Sequence, residues 1–124
     1  MIKGIGNDIV ELSRIKKAIH NKRFLNKYFT KSENELFENR DFRVETIAGN
    51  FAVKEAVSKV LGTGFVKFTL MDIEVLRDDM GKPYVQLYRE AKDLANKCHI
   101  STIYVSISHS EHYVVAVAIG EGED

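Results

Sequence analysis

Asp8 and Glu55 are the residues of this chain best suited to chemistry, because both stand where apolar residues would be expected. Asp8 lies inside the opening segment GIGNDIVE, and Glu55 inside FAVKEAVSKVLGTG. A carboxylate set among small and apolar residues needs a cation or several donors, or it takes up a proton instead. Two such acids, distant in sequence, point to a divalent metal held where a strand meets a helix. Carboxylates with open positions suit Mg²⁺, which keeps waters and accepts phosphate oxygens. They suit zinc less well, since no histidine–cysteine cluster accompanies them. The plain alternatives are a strand-end Asp8 paired with a lysine, and a surface Glu55–Lys59 pair worth a few tenths of a kcal/mol. Phe51, Glu55 and Lys59 share one helix stripe at i, i+4 and i+8, and Phe51 argues that the pair is partly covered. Gly62 and Gly64, at the helix end, would let a ligand approach the backbone.

Three further segments carry possible chemistry. In Ser106-Ile107-Ser108-His109-Ser110, hydroxyls and an imidazole gather at a strand end, suited to phosphate or to proton transfer. His109 also continues the face of Ile103, Val105 and Ile107, which a satisfied histidine near the core edge would do equally well. Gly81-Lys82-Pro83 reads as a turn, and most such turns are only turns. From Leu12 to Ser32 every charge is positive: Arg14, Lys16, Lys17, Lys22, Arg23, Lys27 and Lys31. A solvated helix face is the usual explanation. With Ile15 and Phe24 nearby, the same surface would also dock an acidic partner helix.

The elements that must position these residues follow from periodicity and caps. Ile2 to Val10 reads as a strand interrupted by Gly4 and Gly6, and glycine inside a strand often marks close approach of a ligand or another backbone. Ser13 is positioned to cap a short helix through about Asn21, and Arg23 to Phe29 forms a further helical turn. Thr30-Lys31-Ser32-Glu33 fits a capping box that opens a helix to about Asn39. The longest helix is predicted from about Val44 to Leu61, stopped by Gly62 and Gly64. Met71 to Arg77 and Pro83 to Tyr88 read as strands joined by a turn. Glu90 to Cys98 reads as a helix, and Thr102 to Ser108 with Tyr113 to Ile119 as a final hairpin. Helices and strands do not alternate strictly, so the fold class is α+β. The strand VVAVAI is apolar on both faces, which calls for a second covering layer such as another subunit.

The 124 residues match one domain, and 18 basic against 18 acidic side chains give no global electrostatic case for nucleic acid. Cys98 is the only cysteine, so an intrachain disulfide and a cysteine-based zinc site are excluded. Met1 leads straight into strand-like sequence, without a signal peptide or a run long enough to span a bilayer. The default expectation is a cytoplasmic protein that does not engage a membrane.

GIGNDIVELSRI, AGNFAVKEAVSKVLGTG, the DxxGKPYV turn and SISHS, in this order and spacing, closely resemble the holo-(acyl-carrier-protein) synthases. These are the short, bacterial-type 4′-phosphopantetheinyl transferases, and the resemblance covers essentially the whole chain. It implies one α+β domain over residues 1–124, with an antiparallel sheet packed against a long helix. It also implies a homotrimer with active sites at the subunit interfaces. The implied reaction moves the 4′-phosphopantetheine arm of coenzyme A to a serine of apo acyl carrier protein and releases 3′,5′-ADP. By resemblance, Asp8 and Glu55 hold Mg²⁺ against the coenzyme pyrophosphate, and Lys59 lies by the transferred phosphate. Gly62 would line the coenzyme beside Lys59. Gly81, Lys82, Pro83, Ser108 and His109 would contact it from the neighbouring subunit. Arg14, Lys17, Lys22, Arg23 and Phe24 would receive the acidic carrier protein.

The family often has arginine where this chain has Asn50, so no phosphate contact is assigned to Asn50, and Lys54 is the nearby cation that would compensate. The chemistry agrees with the residues themselves. Phosphoryl-type transfer needs positioning and charge neutralisation more than covalent help. Lys59 would offset charge on the phosphoryl oxygens, and Glu55 is the candidate base for the carrier serine. Two rivals make different predictions. A non-catalytic module binding an acidic helical protein through its basic first helix would need no Mg²⁺. Another Mg²⁺-dependent nucleotide enzyme would turn over without a carrier.

Overall fold

The opening segment forms strand β1 (Ile2–Glu11), and its glycines answer to the helix laid across it. A β-carbon on Gly6 would stand 2.1 Å from the Ala56 carbonyl oxygen, and one on Gly4 would stand 2.9 Å from that of Val60. Both oxygens belong to α4 (Val44–Leu61), so only glycine lets the two backbones meet. The structure is a computed structural model that describes residues 1–62 and 68–124. Gly62 ends α4 with a φ of 83°, while Gly64, also expected to stop it, lies outside the described residues.

Three short helices connect β1 to α4. α1 (Leu12–Ala18) begins without a side-chain cap. Ser13 does not cap it, because the chain passes directly from strand to helix and the Leu12 N–H donates to the His112 carbonyl at 2.9 Å. α2 (Lys22–Tyr28) is capped by Asn21, whose side-chain oxygen accepts from the Arg23 N–H at 3.0 Å. α3 (Lys31–Asn39) opens with the expected capping box. The Thr30 N–H donates to Glu33 at 3.1 Å, and the Glu33 N–H to the Thr30 hydroxyl at 3.2 Å.

Beyond α4 come β2 (Ile73–Arg77), β3 (Pro83–Leu87), α5 (Arg89–Lys97), β4 (Thr102–His109) and β5 (Tyr113–Glu121). The strand expected from Met71 starts later, because Leu70–Asp72 forms a turn of 3-10 helix. The strands make two antiparallel sheets where the sequence reading has one. β1, β5 and β4 pair in that order, and β2 pairs with β3 alone. The β2–β3 turn closes on Asp78, whose carboxylate accepts from the Met80 and Lys82 N–H groups at 2.9 and 2.8 Å.

α4 packs on one face of the three-stranded sheet. In that face Asp8, Ala116 and Ile107 lie in one register row, and Val10, Val114 and His109 in the next. Val114, Ala116 and Ala118 are fully buried there, with Ala52, Ala56 and Val57 of α4 in the same core. The opposite face is uncovered in the single chain: Ile5, Ile9, Tyr104, Tyr113 and Val115 are all exposed. The β5 strand is thus apolar on both faces, as its sequence predicts, with only one face buried within the chain. Among the described residues, no helix is long and apolar enough to cross a membrane.

Candidate active site

Asp8 projects from the α4 side of β1, and the glycine contacts at Gly4 and Gly6 bring it against the last turns of that helix. The Lys59 ammonium lies 3.6 Å from the Asp8 carboxylate and donates to the Asn7 carbonyl at 2.7 Å. Along the stripe Phe51, Glu55, Lys59 the helix passes from core to solvent. Phe51 is 8% exposed, Glu55 is half-buried, and the Lys59 side chain is 52% exposed. Burial raises the Glu55 carboxyl above its ordinary range, and the Asp8 charge raises it further. Lys59 and Arg14 pull it partly back, which places Arg14 of α1 within electrostatic reach of Glu55.

Two carboxylates that repel one another at a strand–helix junction form a place that a cation relieves. Among the described residues no three His, Cys, Asp or Glu side chains come together as a metal cage. Two acids with further positions left open match a hard cation that keeps water and substrate oxygens.

Lys54 offers no cation to this site. Its side chain is wholly buried and pairs with Glu33 at 2.6 Å, so it cannot offer a cation to a phosphate beside Glu55. Asn50 is buried too, its amide donating to Glu33 at 3.0 Å and to the Val75 carbonyl at 2.9 Å. Position 50 therefore faces the interior, away from the Asp8–Glu55 junction. Its side-chain oxygen finds no partner among the described residues.

A cavity of about 470 Å³ opens on the other flank of Glu55. Lys27 and Tyr28 of α2, Ser58 of α4 and the segment Phe68, Thr69 and Leu70 complete its lining. Of these residues the sequence reading singles out only Lys27, and that as part of the basic run; Ser58, one turn past Lys54, carries a signal it missed, as a polar residue inside an apolar helix. Among the described residues, nothing lies within 4 Å of where a β-carbon on Gly62 would be.

The remaining candidates lie apart from this junction. Lys82 and Pro83 line a second cavity of about 380 Å³ with Asp78, Tyr84, Ile103, Tyr104 and Val105. Gly81 holds the adjoining turn with a φ of 84°. Among the described residues, the two cavities share no lining residue. Ser108 and His109 are both exposed but alternate across β4. Ser108 stands beside Val115 on the uncovered face, and His109 beside Val114 on the α4 side. The hydroxyls and imidazole of SISHS therefore do not form one cluster, because a strand sends successive side chains to opposite faces.

The basic run forms an exposed surface on α1 and α2 carrying Arg14, Lys17, Lys22 and Arg23. Phe24 is half-buried at its edge and joins an aromatic group. Its ring lies 5.3 Å from Tyr28 and 5.8 Å from both Phe29 and Phe51. The docking surface expected from sequence is therefore braced against α4 one turn before Glu55.

Comparison with known proteins identifies the family of the chain. The model of the 4′-phosphopantetheinyl transferase superfamily matches residues 4–118. A holo-(acyl-carrier-protein) synthase of Clostridium botulinum is 56% identical over 122 residues, covering 98% of each chain. A Bacillus anthracis holo-(acyl-carrier-protein) synthase, solved in complex with CoA (3′,5′-ADP), superposes with a TM-score of 0.81 at 36% identity over 99% of each chain. The Helicobacter pylori holo-(acyl-carrier-protein) synthase, solved with coenzyme A, gives a TM-score of 0.81 at 32% identity. That match covers 94% of this chain and 99% of the other. The chain belongs to the 4′-phosphopantetheinyl transferase superfamily, among its holo-(acyl-carrier-protein) synthases, and is an enzyme of that class.

Proposed function

We propose that residues 1–124 form one transferase domain that moves the 4′-phosphopantetheine group of coenzyme A to a serine of apo acyl carrier protein. The products are holo carrier protein and 3′,5′-ADP, and the reaction depends on Mg²⁺. One observation carries the reading: at the β1–α4 junction Asp8 lies within electrostatic reach of Glu55, with the Lys59 ammonium 3.6 Å from Asp8. The coenzyme bound in the Bacillus anthracis and Helicobacter pylori structures supports the choice of donor.

Asp8 and Glu55 would hold Mg²⁺, and the bound ion would neutralise pyrophosphate charge and stabilise the departing nucleotide. Lys59 is free to swing from Asn7 and Asp8 toward the transferred phosphoryl oxygens and offset their charge. Glu55, at the β1–α4 junction beside Asp8, would take the proton of the carrier serine. The serine oxygen then bonds to phosphorus as the bond to the nucleotide phosphate breaks.

The rest of the reading concerns assembly. Gly62 would lie along the coenzyme beside Lys59. Gly81, Lys82, Pro83, Ser108 and His109 would reach it from a neighbouring subunit of a homotrimer. The uncovered apolar sheet face, with Ile9 62% and Ile5 68% exposed, supports a covering subunit. The separation of the two cavities within one chain supports a site completed between chains. The basic α1–α2 surface would receive the acidic carrier protein. A cytoplasmic location belongs to the same proposal.

The test is incubation with apo acyl carrier protein, coenzyme A and Mg²⁺, with the carrier weighed by intact-mass spectrometry. A gain of one phosphopantetheinyl group, lost with EDTA, is expected. No gain with folded protein and several carriers would favour a non-catalytic module that binds an acidic helical protein.

A further inference from the structure

Lys54 adjoins Glu55 in sequence yet points the other way, into the protein. Its ammonium donates to Glu33 Oε1 at 2.6 Å, to the Leu70 carbonyl at 2.8 Å and to the Ile73 carbonyl. The other Glu33 oxygen accepts from the Asn50 amide at 3.0 Å and from the Val75 N–H at 3.3 Å. Oε1 also accepts from the Thr30 N–H at 3.1 Å, which ties in the junction between α2 and α3. The same junction is braced by Asn34, whose amide donates to the Thr30 carbonyl at 3.1 Å and the Phe29 carbonyl at 3.3 Å. One fully buried ion pair thus joins α3, α4, the α2–α3 junction and the run Leu70–Val75.

Stability alone is a poor reason for such a pair. Buried ion pairs cost desolvation, and well-packed apolar residues often replace them without loss. Here, however, an apolar side chain at position 54 would strand the Ile73 carbonyl and leave the Leu70 carbonyl with only the Ile73 N–H of its two donors. The pair gives those two carbonyls a fixed place against α4. The segments it joins are also the walls of the cavity that opens on Glu55. α4 contributes Glu55 and Ser58, the run before β2 contributes Phe68, Thr69 and Leu70, and α2 contributes Lys27 and Tyr28.

We propose that Lys54 and Glu33 are positioning residues for the transfer: they hold the Leu70 wall and the α2–α3 junction against α4, and so fix the cavity that opens on Glu55 as a seat for the transferred arm of coenzyme A. This deepens the proposed function and rests on it. Neither residue touches the reacting atoms; both act through the walls they hold. Asn50 belongs to the same hub, which explains why it is buried and polar.

The experiment first establishes transfer by the unmodified protein, then compares Lys54→Met with the double variant Glu33→Gln/Lys54→Met, which leaves no unpaired buried charge. Steady-state kinetics are measured with each substrate varied, alongside thermal melting. In both variants kcat/KM for coenzyme A is expected to fall tenfold or more, with KM for carrier protein within twofold. A double variant that melts cooperatively and keeps kcat/KM for coenzyme A within threefold overturns the positioning role. Should both variants fail to fold, hydrogen exchange on the unmodified protein decides the matter. Saturating coenzyme A is expected to slow exchange in residues 68–75, and unchanged exchange there overturns the role. An unmodified protein that transfers nothing overturns the proposed function beneath it, a result distinct from either of these.

Discussion

Asp8 and Glu55 oppose each other: the Asp8 charge adds to burial in lifting the Glu55 carboxyl above its ordinary range. A raised carboxyl keeps its proton in the folded chain at pH values where the unfolded chain has released it. Folding is therefore penalised above the raised pKa, and the penalty disappears as pH falls through it. Glu55→Gln should raise the melting temperature of the metal-free protein at neutral pH. The gain should vanish near about pH 4, where an unfolded glutamate also protonates. Melting curves across pH check this, and an equal or lower melting temperature at neutral pH would remove the electrostatic conflict from the account.

The same two acids are expected to be indispensable for turnover. Asp8→Ala and Glu55→Ala should each lower kcat by at least about 10²-fold, the scale of losing a charge-stabilising group. Mg²⁺ should raise the melting temperature of the unmodified protein and leave both variants unmoved. A variant with near-normal rate at low Mg²⁺ contradicts the metal assignment.

Gly6 admits no side chain, since the Ala56 carbonyl occupies the space a β-carbon needs. Gly6→Ala should push β1 from α4 and cost about 1–3 kcal/mol or more, as overpacking does. It should also separate Asp8 from Glu55 and reduce kcat more than KM. Denaturant unfolding and kinetics on the same preparation test both halves, and an unchanged midpoint would show that the backbone contact is not as tight as described.

The basic surface should act on the carrier and leave the coenzyme alone. Lys17→Glu with Arg23→Glu is expected to raise KM for carrier protein about tenfold, most strongly at low salt. KM for coenzyme A should stay within twofold. Arg14→Glu should add a fall in kcat, because Arg14 also reaches the Glu55 carboxyl. Carrier KM unchanged in the double variant places the docking surface elsewhere.

Ile9 and Val115 stand side by side on the uncovered sheet face, 62% and 42% exposed. Ile9→Asp with Val115→Asp should give a folded monomer by light scattering and abolish transfer. An active monomer would place the whole coenzyme site within one chain.

The chain's local chemistry is written in short stretches. Thr30 and Glu33 specify their capping box because both partners lie within one helical turn. Gly62 marks the end of α4 because few other residues accept its φ. Asp8 and Glu55 stand out in sequence because a carboxylate among apolar residues is costly unless something compensates it. Helical periodicity groups Phe51, Glu55 and Lys59 on one stripe and Asn50, Lys54 and Ser58 on another. It does not say which stripe meets solvent. α4 is covered on nearly every side, so that choice belongs to the packing, and the packing buries Lys54 against Glu33. The start of α1 is decided in the same way, by a His112 carbonyl from the far end of the chain. Ser108 and His109 part to opposite faces once β5 fixes the register of β4. The sequence by itself determined which residues carry charge, cap helices and bend the chain. Tertiary structure alone decided which of them share a cavity, because burial and register depend on partners distant in sequence.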